Sequence, residues 1–176
     1  MNKLDISNWK EFKISELFKI EPTNYHKLIN KDLLDVDGIN PVVVNSSYNN
    51  GIGGYSFHDC TEEGNTITFS DTTTADSIFY QPNDFVGYSH VQKLKPIIYE
   101  EKWTKNCLLF FTVVFRTQAK LMNFDYVNKF TRENASNLLI KLPVKDNQPD
   151  WEYMENYIKA LYSRERERVS LLLQNM

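Results

Sequence analysis

The strongest periodic signal in the chain lies near its C-terminal end, where Trp151, Met154, Ile158 and Leu161 recur every third or fourth residue. That spacing puts one apolar stripe on a helix. Asp150 is a good N-cap, and the stripe resumes at Val169 and Leu172 after a charged break at Glu165 and Arg168. The pattern predicts a helix over about 150–174. Such a helix is about 36 Å long, more than one small domain covers. Part of its stripe is therefore expected to need a partner. The alternative is that the stretch from Trp151 to Leu161 folds back on its own domain.

Upstream the period shortens to two. Residues 9–14 (WKEFKI) alternate apolar and polar, Ser15 is placed to cap a short turn through Leu17 and Phe18, and extended chain resumes at Lys19 until Pro22. Residues 24–38 are polar with scattered leucines and close on the turn signal Asp37-Gly38. Strands are expected at 42–44, 66–70 and 78–80, with a small polar loop over 71–77. A last strand over 138–142 is stopped by Pro143. Residues 91–99 and 107–115 are further apolar segments, and the second admits either a buried strand or a helix. Residues 145–149 read as a linker. The expected class is α+β, a strand-rich body over 1–147 followed by a helix over 148–176.

The 176 residues, 41% apolar and 14% aromatic, supply one ordinary core rather than two. No apolar run reaches the length of a membrane span and the first residues lack a signal-like stretch, so a cytoplasmic protein is expected. Cys60 and Cys107 have no framework spacing and read as free thiols. Net charge is −3, but it is unevenly spread. From His58 to His90 the charged residues are Asp59, Glu62, Glu63, Asp71, Asp76 and Asp84, all acidic. From 102 to 145, Lys102, Lys105, Arg116, Lys120, Lys129, Arg132, Lys141 and Lys145 face only Asp125 and Glu133. An acidic chain can thus present a basic face to phosphate, although solvated loop charges would give the same count.

The stretch SSYNNGIGGY, residues 46–55, concentrates amides, glycines and rings. Asn49 and Asn50 can offer paired donors and acceptors to a base edge, and Tyr48 and Tyr55 can stack or bind phosphate. A plain hairpin turn explains Asn50-Gly51 equally well. Thr72, Thr73 and Thr74 are uncharged hydroxyls suited to base or phosphate, and Lys120, Lys129 and Arg132 are the phosphate candidates.

Catalytic patterns are thin. Asp84 with Glu100-x-Lys102 imitates a metal-dependent nuclease, a pattern that arises often by chance. His58, Cys60, His90 and Cys107 have no Cys-x-x-Cys pair to support a zinc site. Phosphate-loop, dinucleotide and Asn-Pro-Pro-Tyr phrases are missing. No cofactor and no catalysis are expected.

Several phrases occur together and in order: Trp9-x-x-Phe12-x-Ile14-x-x-Leu17-Phe18, Asn49-Asn50-Gly51-Ile52-x-Gly54-Tyr55, Gly64-Asn65-x-Ile67-Thr68, and Ile78-Phe79-Tyr80-Gln81-x-x-Asp84-Phe85. Leu142-Pro143 and Pro149-Asp150-Trp151-x-x-Met154-x-x-Tyr157-Ile158 complete the set. Taken together they resemble the target recognition domain of type I restriction-modification specificity (S) subunits, and the related modules of type IIB and IIG systems. Glu21-Pro22-Thr23 and the loop from Thr72 to Asp76 depart from the glycines usual in that family.

The resemblance implies a mixed recognition domain followed by a spacer helix, reading DNA for separate subunits. Complete subunits of the family usually carry two such domains and two helices, so the chain resembles a half-subunit. The implied partners are double-stranded DNA, methyltransferase subunits, restriction or translocase subunits, and a second half-subunit. An identical copy or another chain would pair through Trp151, Met154, Ile158, Leu161, Val169 and Leu172. Two rivals remain: the nuclease built on Asp84, Glu100 and Lys102, and a protein-binding decoy that does not touch DNA.

Overall fold

The period-two stretches fold as strands around a helix that the pattern left open. A computed structural model describes residues 4–72, 74–124 and 129–174, so Thr73 lies outside the described residues. In chain order the first elements are β1 (Lys10–Lys13), α1 (Ile14–Leu17), β2 (Phe18–Pro22), α2 (Asn30–Leu33), β3 (Asn40–Val43) and β4 (Ile52–Ser56). They are followed by β5 (Thr66–Ser70), β6 (Phe79–Gln81), β7 (Val91–Pro96), α3 (Lys105–Leu121) and α4 (Arg132–Asn137). The chain closes with β8 (Leu139–Leu142), β9 (Val144–Lys145), β10 (Gln148–Pro149) and α5 (Trp151–Gln174). The class is α+β.

A four-stranded antiparallel sheet in the order β2-β7-β5-β6 forms the centre. Leu94 lies opposite both Ile20 and Ile67, and all three are buried. The register pairs Ser70 with Val91, Pro22 with Gln92 and Thr68 with Phe79. The ends of β2 and β5 and the starts of β6 and β7 therefore gather at one end of the sheet. The pair β3-β4 and the pair β1-β8 flank this sheet as separate two-stranded ribbons.

The segment over 107–115 is helical. Thr104 caps α3 by accepting from the Cys107 N–H, and Cys107, Leu108, Phe111, Phe115 and Ala119 make a buried stripe at helical spacing. Phe111 packs on Phe18 and Trp103, and Phe115 on Phe69 and Phe130. Each such ring contributes roughly 1.5–3 kcal/mol through burial, enough to fix α3 against the sheet. In a strand Leu108 would face away from Phe111 and Phe115, whereas the helix buries all three.

Two local expectations are corrected. Ser15 is not the cap of α1 but its second residue: Lys13 occupies the N-cap, and its N–H donates to the Glu16 carboxylate. Residues 145–149 are not a linker either. They fold as the β9-β10 hairpin, turning on Asp146 and Asn147, both at positive φ, a region that Asp and Asn tolerate better than most residues. The boundary expected at 147/148 falls inside this hairpin.

The hairpin delivers Asp150, whose carboxylate accepts from the Tyr153 N–H as the predicted cap. From there α5 packs on its own domain, with Met154 and Ile158 in the main core and Trp151, Tyr157 and Leu161 packed against it. The Glu155 carboxylate accepts from the Thr104 hydroxyl and the Asn106 amide. Trp151, Met154, Ile158 and Leu161 were expected on the partner face. Met154 and Ile158 are buried within their own chain, and Trp151 and Leu161 are largely engaged there, because α3 offers Cys107 and Phe110 to this side of the helix. Among the described residues no helix is long and apolar enough to cross a membrane.

Candidate nucleic-acid interface

The end of the sheet where β5 finishes and β6 and β7 begin carries three loops tied to one another. In the first, Ser70 Oγ lies 3.0 Å from Thr72 Oγ1, and Thr74 caps a single turn over Ala75–Ser77. Ser77 Oγ donates to the Thr74 carbonyl and accepts from the Ser70 N–H, so this polar loop is internally braced. In the second, His90 stands at positive φ and meets the Asp71 carboxylate at 3.2 Å, while Gln92 donates to the other Asp71 oxygen. The third is the stretch of Asn45 to Gly51, joined to the first by a 3.5 Å contact from Asn45 Nδ2 to Thr72 Oγ1. Tyr48 at its crest is 82% exposed, and Asn49, Thr72 and Thr74 are exposed beside it.

Asn50 has a different role from the expected base reader. Its amide donates to the Tyr80 carbonyl and to Gln81 Oε1, and Gln81 returns a bond to the Asn50 carbonyl. With φ at 54° it clamps the loop onto the edge of β6. Gly51 follows at φ 79°, where an added Cβ would meet Val43 and Phe79. The family-like phrase is thus largely scaffold at Asn50 and Gly51. Tyr55, 45% exposed on β4 opposite Pro41, lies in the ribbon rather than at the crest.

Cations reach the same end from α3. Lys120 Nζ lies 2.6 Å and Arg116 3.4 Å from one oxygen of Asp76, and the Arg116 guanidinium sits over the Phe79 ring. Hydrogen bonding from Lys120, then attraction to it and to Arg116, holds the Asp76 carboxyl below its usual range. Lys129 and Arg132 are exposed on either side of Phe130, which packs on Phe69 near the end of β5. Charge counting marked Lys120 and Arg132. It counted Arg116 and Asp76 without giving them a role and did not mark Asn45 or His90; the packing of α3 on the loop between β5 and β6, and the β5-β7 register, bring these segments together.

The catalytic alternatives do not assemble. Asp84 accepts from the Gly64 N–H, and the Lys102 ammonium lies over the rings of Tyr99 and Trp151. Cys107 is buried, which pushes its thiol up, and its Sγ donates to the Trp151 carbonyl. His90 is turned to Asp71, while His58 stacks near His26. Among the described residues no group of three or more His, Cys, Asp or Glu is placed to hold a metal.

The chain is thus a loop-bearing sheet with a helix docked at its root and projecting beyond it. The family model of the type I restriction modification DNA specificity domain matches residues 6–171. The chain belongs to this family. The specificity subunit S.BcgI of a type II restriction enzyme from Heyndrickxia coagulans is 29% identical over 159 residues, covering 89% of this chain and 44% of that protein. The chain thus spans less than half of that relative.

Solved structures share the fold. The S subunit of a type I restriction-modification system from M. genitalium superposes with a TM-score of 0.65 at 16% identity, over 96% of this chain and 42% of that one. The HsdS subunit from Thermoanaerobacter tengcongensis gives 0.52 at 11% identity, over 99% of this chain and 41% of that one.

Within this specificity domain the far half of α5 is exposed throughout residues 162–174. Val169 is 54% exposed and Leu172 67% exposed, and Tyr162 and Leu173 add to an apolar surface on about 20 Å of helix. Glu165 and Arg168 pair with each other at 3.2 Å within it.

Proposed function

We propose that this specificity domain reads one short duplex sequence with the loop end of its sheet, and performs no catalysis itself. Tyr48, Asn49, Thr72 and Thr74 would meet the groove, with Arg116, Lys120, Lys129 and Arg132 on flanking phosphates. The observation that carries the reading is the convergence of three braced loops at one sheet end, with exposed hydrogen-bonding side chains in front and cations of α3 behind. Short polar side chains at base edges specify, and cations at phosphates position.

The methyltransferase and restriction chemistry then belongs to separate subunits. The far half of α5, with Val169 and Leu172, would pack on a helix of a second reader, either an identical copy or a different recognition domain. An apolar helix face of this kind gains roughly 25 cal/mol per Å² when covered. An identical copy would give an isologous pair and a palindromic target.

Mapping of modified bases in a host that expresses this chain with its methyltransferase tests the reading. The expected result is a single modified motif that disappears when the chain is omitted. Modification that is indifferent to the chain would overturn it. A palindromic motif would identify the second reader as an identical copy.

A further inference from the structure

Among the cations at the loop end, Arg116 and Lys120 share a single exposed counter-charge. Asp76 is the central residue of the braced turn Ala75–Ser77, held from below by the Thr74 hydroxyl, which accepts from its N–H. Its carboxylate is 46% exposed and faces Lys120 at 2.6 Å and Arg116 at 3.4 Å through the same oxygen. Arg116 is further fixed over Phe79 at 5.4 Å. An acid at the crest of a surface meant for a polyanion repels phosphate directly and cancels one of the two cations behind it.

We propose that Asp76 sets specificity by suppressing indiscriminate backbone binding: it keeps Arg116 and Lys120 half neutralised until base contacts seat the duplex and phosphates replace it as their partner. The inference rests on the DNA-reading assignment and adds a residue to it. Sequence-independent affinity comes mainly from cations that displace counterions, so an acid among them lowers non-specific binding more than binding at a matched site. At the matched site, base contacts hold the phosphates close enough to compete for Lys120 and Arg116. On random sequence no such contacts offset the repulsion.

The test is a salt titration of the full chain on its enriched duplex and on random duplex, with Asp76→Asn, Arg116→Gln/Lys120→Gln and Glu63→Gln compared. Glu63 is exposed beside Gly64, at the opposite end of the sheet, and its loss changes the net charge equally. Asp76→Asn should bind random duplex on the order of three- to fivefold tighter, the range a half-exposed charge pair supports. Its salt slope should steepen by roughly 0.9 for the one charge released. The matched site should change less, so discrimination falls.

Glu63→Gln should alter neither quantity. Arg116→Gln/Lys120→Gln should weaken both duplexes. Equal effects of Asp76→Asn and Glu63→Gln would overturn the proposal, and so would weaker random binding by Asp76→Asn, which would make the acid an anchor. Failure of the native chain to enrich any duplex is a different outcome and strikes the reading beneath it.

Discussion

Asn50 shows how one side chain at the loop end is committed to structure while Tyr48 is left to solvent and Asn49, though exposed, donates its amide to the Ile52 carbonyl. It spends its amide on the Tyr80 carbonyl and Gln81 Oε1, and its backbone sits at φ 54°, a region that Asn tolerates and Ala resists. Asn50→Ala should lose about 1–3 kcal/mol of stability by urea denaturation, because it strands polar groups at the β6 edge. Tyr48, by contrast, is 82% exposed. Tyr48→Ala should leave the urea midpoint within about 0.5 kcal/mol of native. A large loss of stability for Tyr48→Ala, or none for Asn50→Ala, would reverse this division between scaffold and surface. Both residues lie in one glycine-rich phrase. Only the approach of β6 separates them, and nothing in residues 46–55 encodes that approach.

At the scale of elements, α5 is one helix with two environments. Its first half is fixed by Met154 and Ile158 in the core and by Glu155, whose carboxyl is held below its usual range by the Thr104 hydroxyl first, with Asn106 and Lys159 adding to it. A folded value below the unfolded one means that Glu155 stabilises the docked helix above the ordinary carboxylate range. That contribution is lost as pH falls through the lowered value. A series of urea midpoints toward acid should therefore decline less steeply for Glu155→Gln than for the native chain.

The two halves of the helix should also separate by mutation. Met154→Ala should cost about 2–5 kcal/mol through the cavity it leaves. Val169→Glu with Leu172→Glu should keep the fold intact and shift any assembly seen by sedimentation toward the single chain. An assembly untouched by those two charges would remove the far half of α5 from the pairing surface.

The same helix marks how much could be read from the sequence. Its extent and its Asp150 cap were legible from spacing alone, since 3.6-residue periodicity survives without knowledge of neighbours. That the stretch from Trp151 to Leu161 folds back on its own domain stood only as an alternative, because the choice depended on the side chains α3 presents to it. The helical state of α3 itself was ambiguous for the same reason: residues 107–115 are nearly all apolar, and a uniform run carries no period.

For the whole molecule, the family and the class were legible from ordered phrases, and the strands from their alternation. The site was legible only as a set of loops. Thr72, Thr74 and Tyr48 were visible as exposed polar and aromatic candidates, while Arg116 joined Asp76 through the packing of α3 and His90 joined Asp71 through the β5-β7 register. Long-range pairing of this kind leaves no local trace. In this reading a chain with a net charge of −3 can still face a polyanion because the cations on α3 are grouped and Asp76 cancels them only in part.

The most direct measurement is selection of duplexes from a random library by the purified chain at moderate salt, repeated with Asn49→Ala and Thr72→Ala. A reader of this geometry should enrich one motif, and each substitution should relax it at particular positions by about 1–3 kcal/mol per lost base contact while leaving the fold intact. Enrichment of no sequence by the native chain, or of the same motif undiminished by both variants, would contradict the placement of DNA at the loop end.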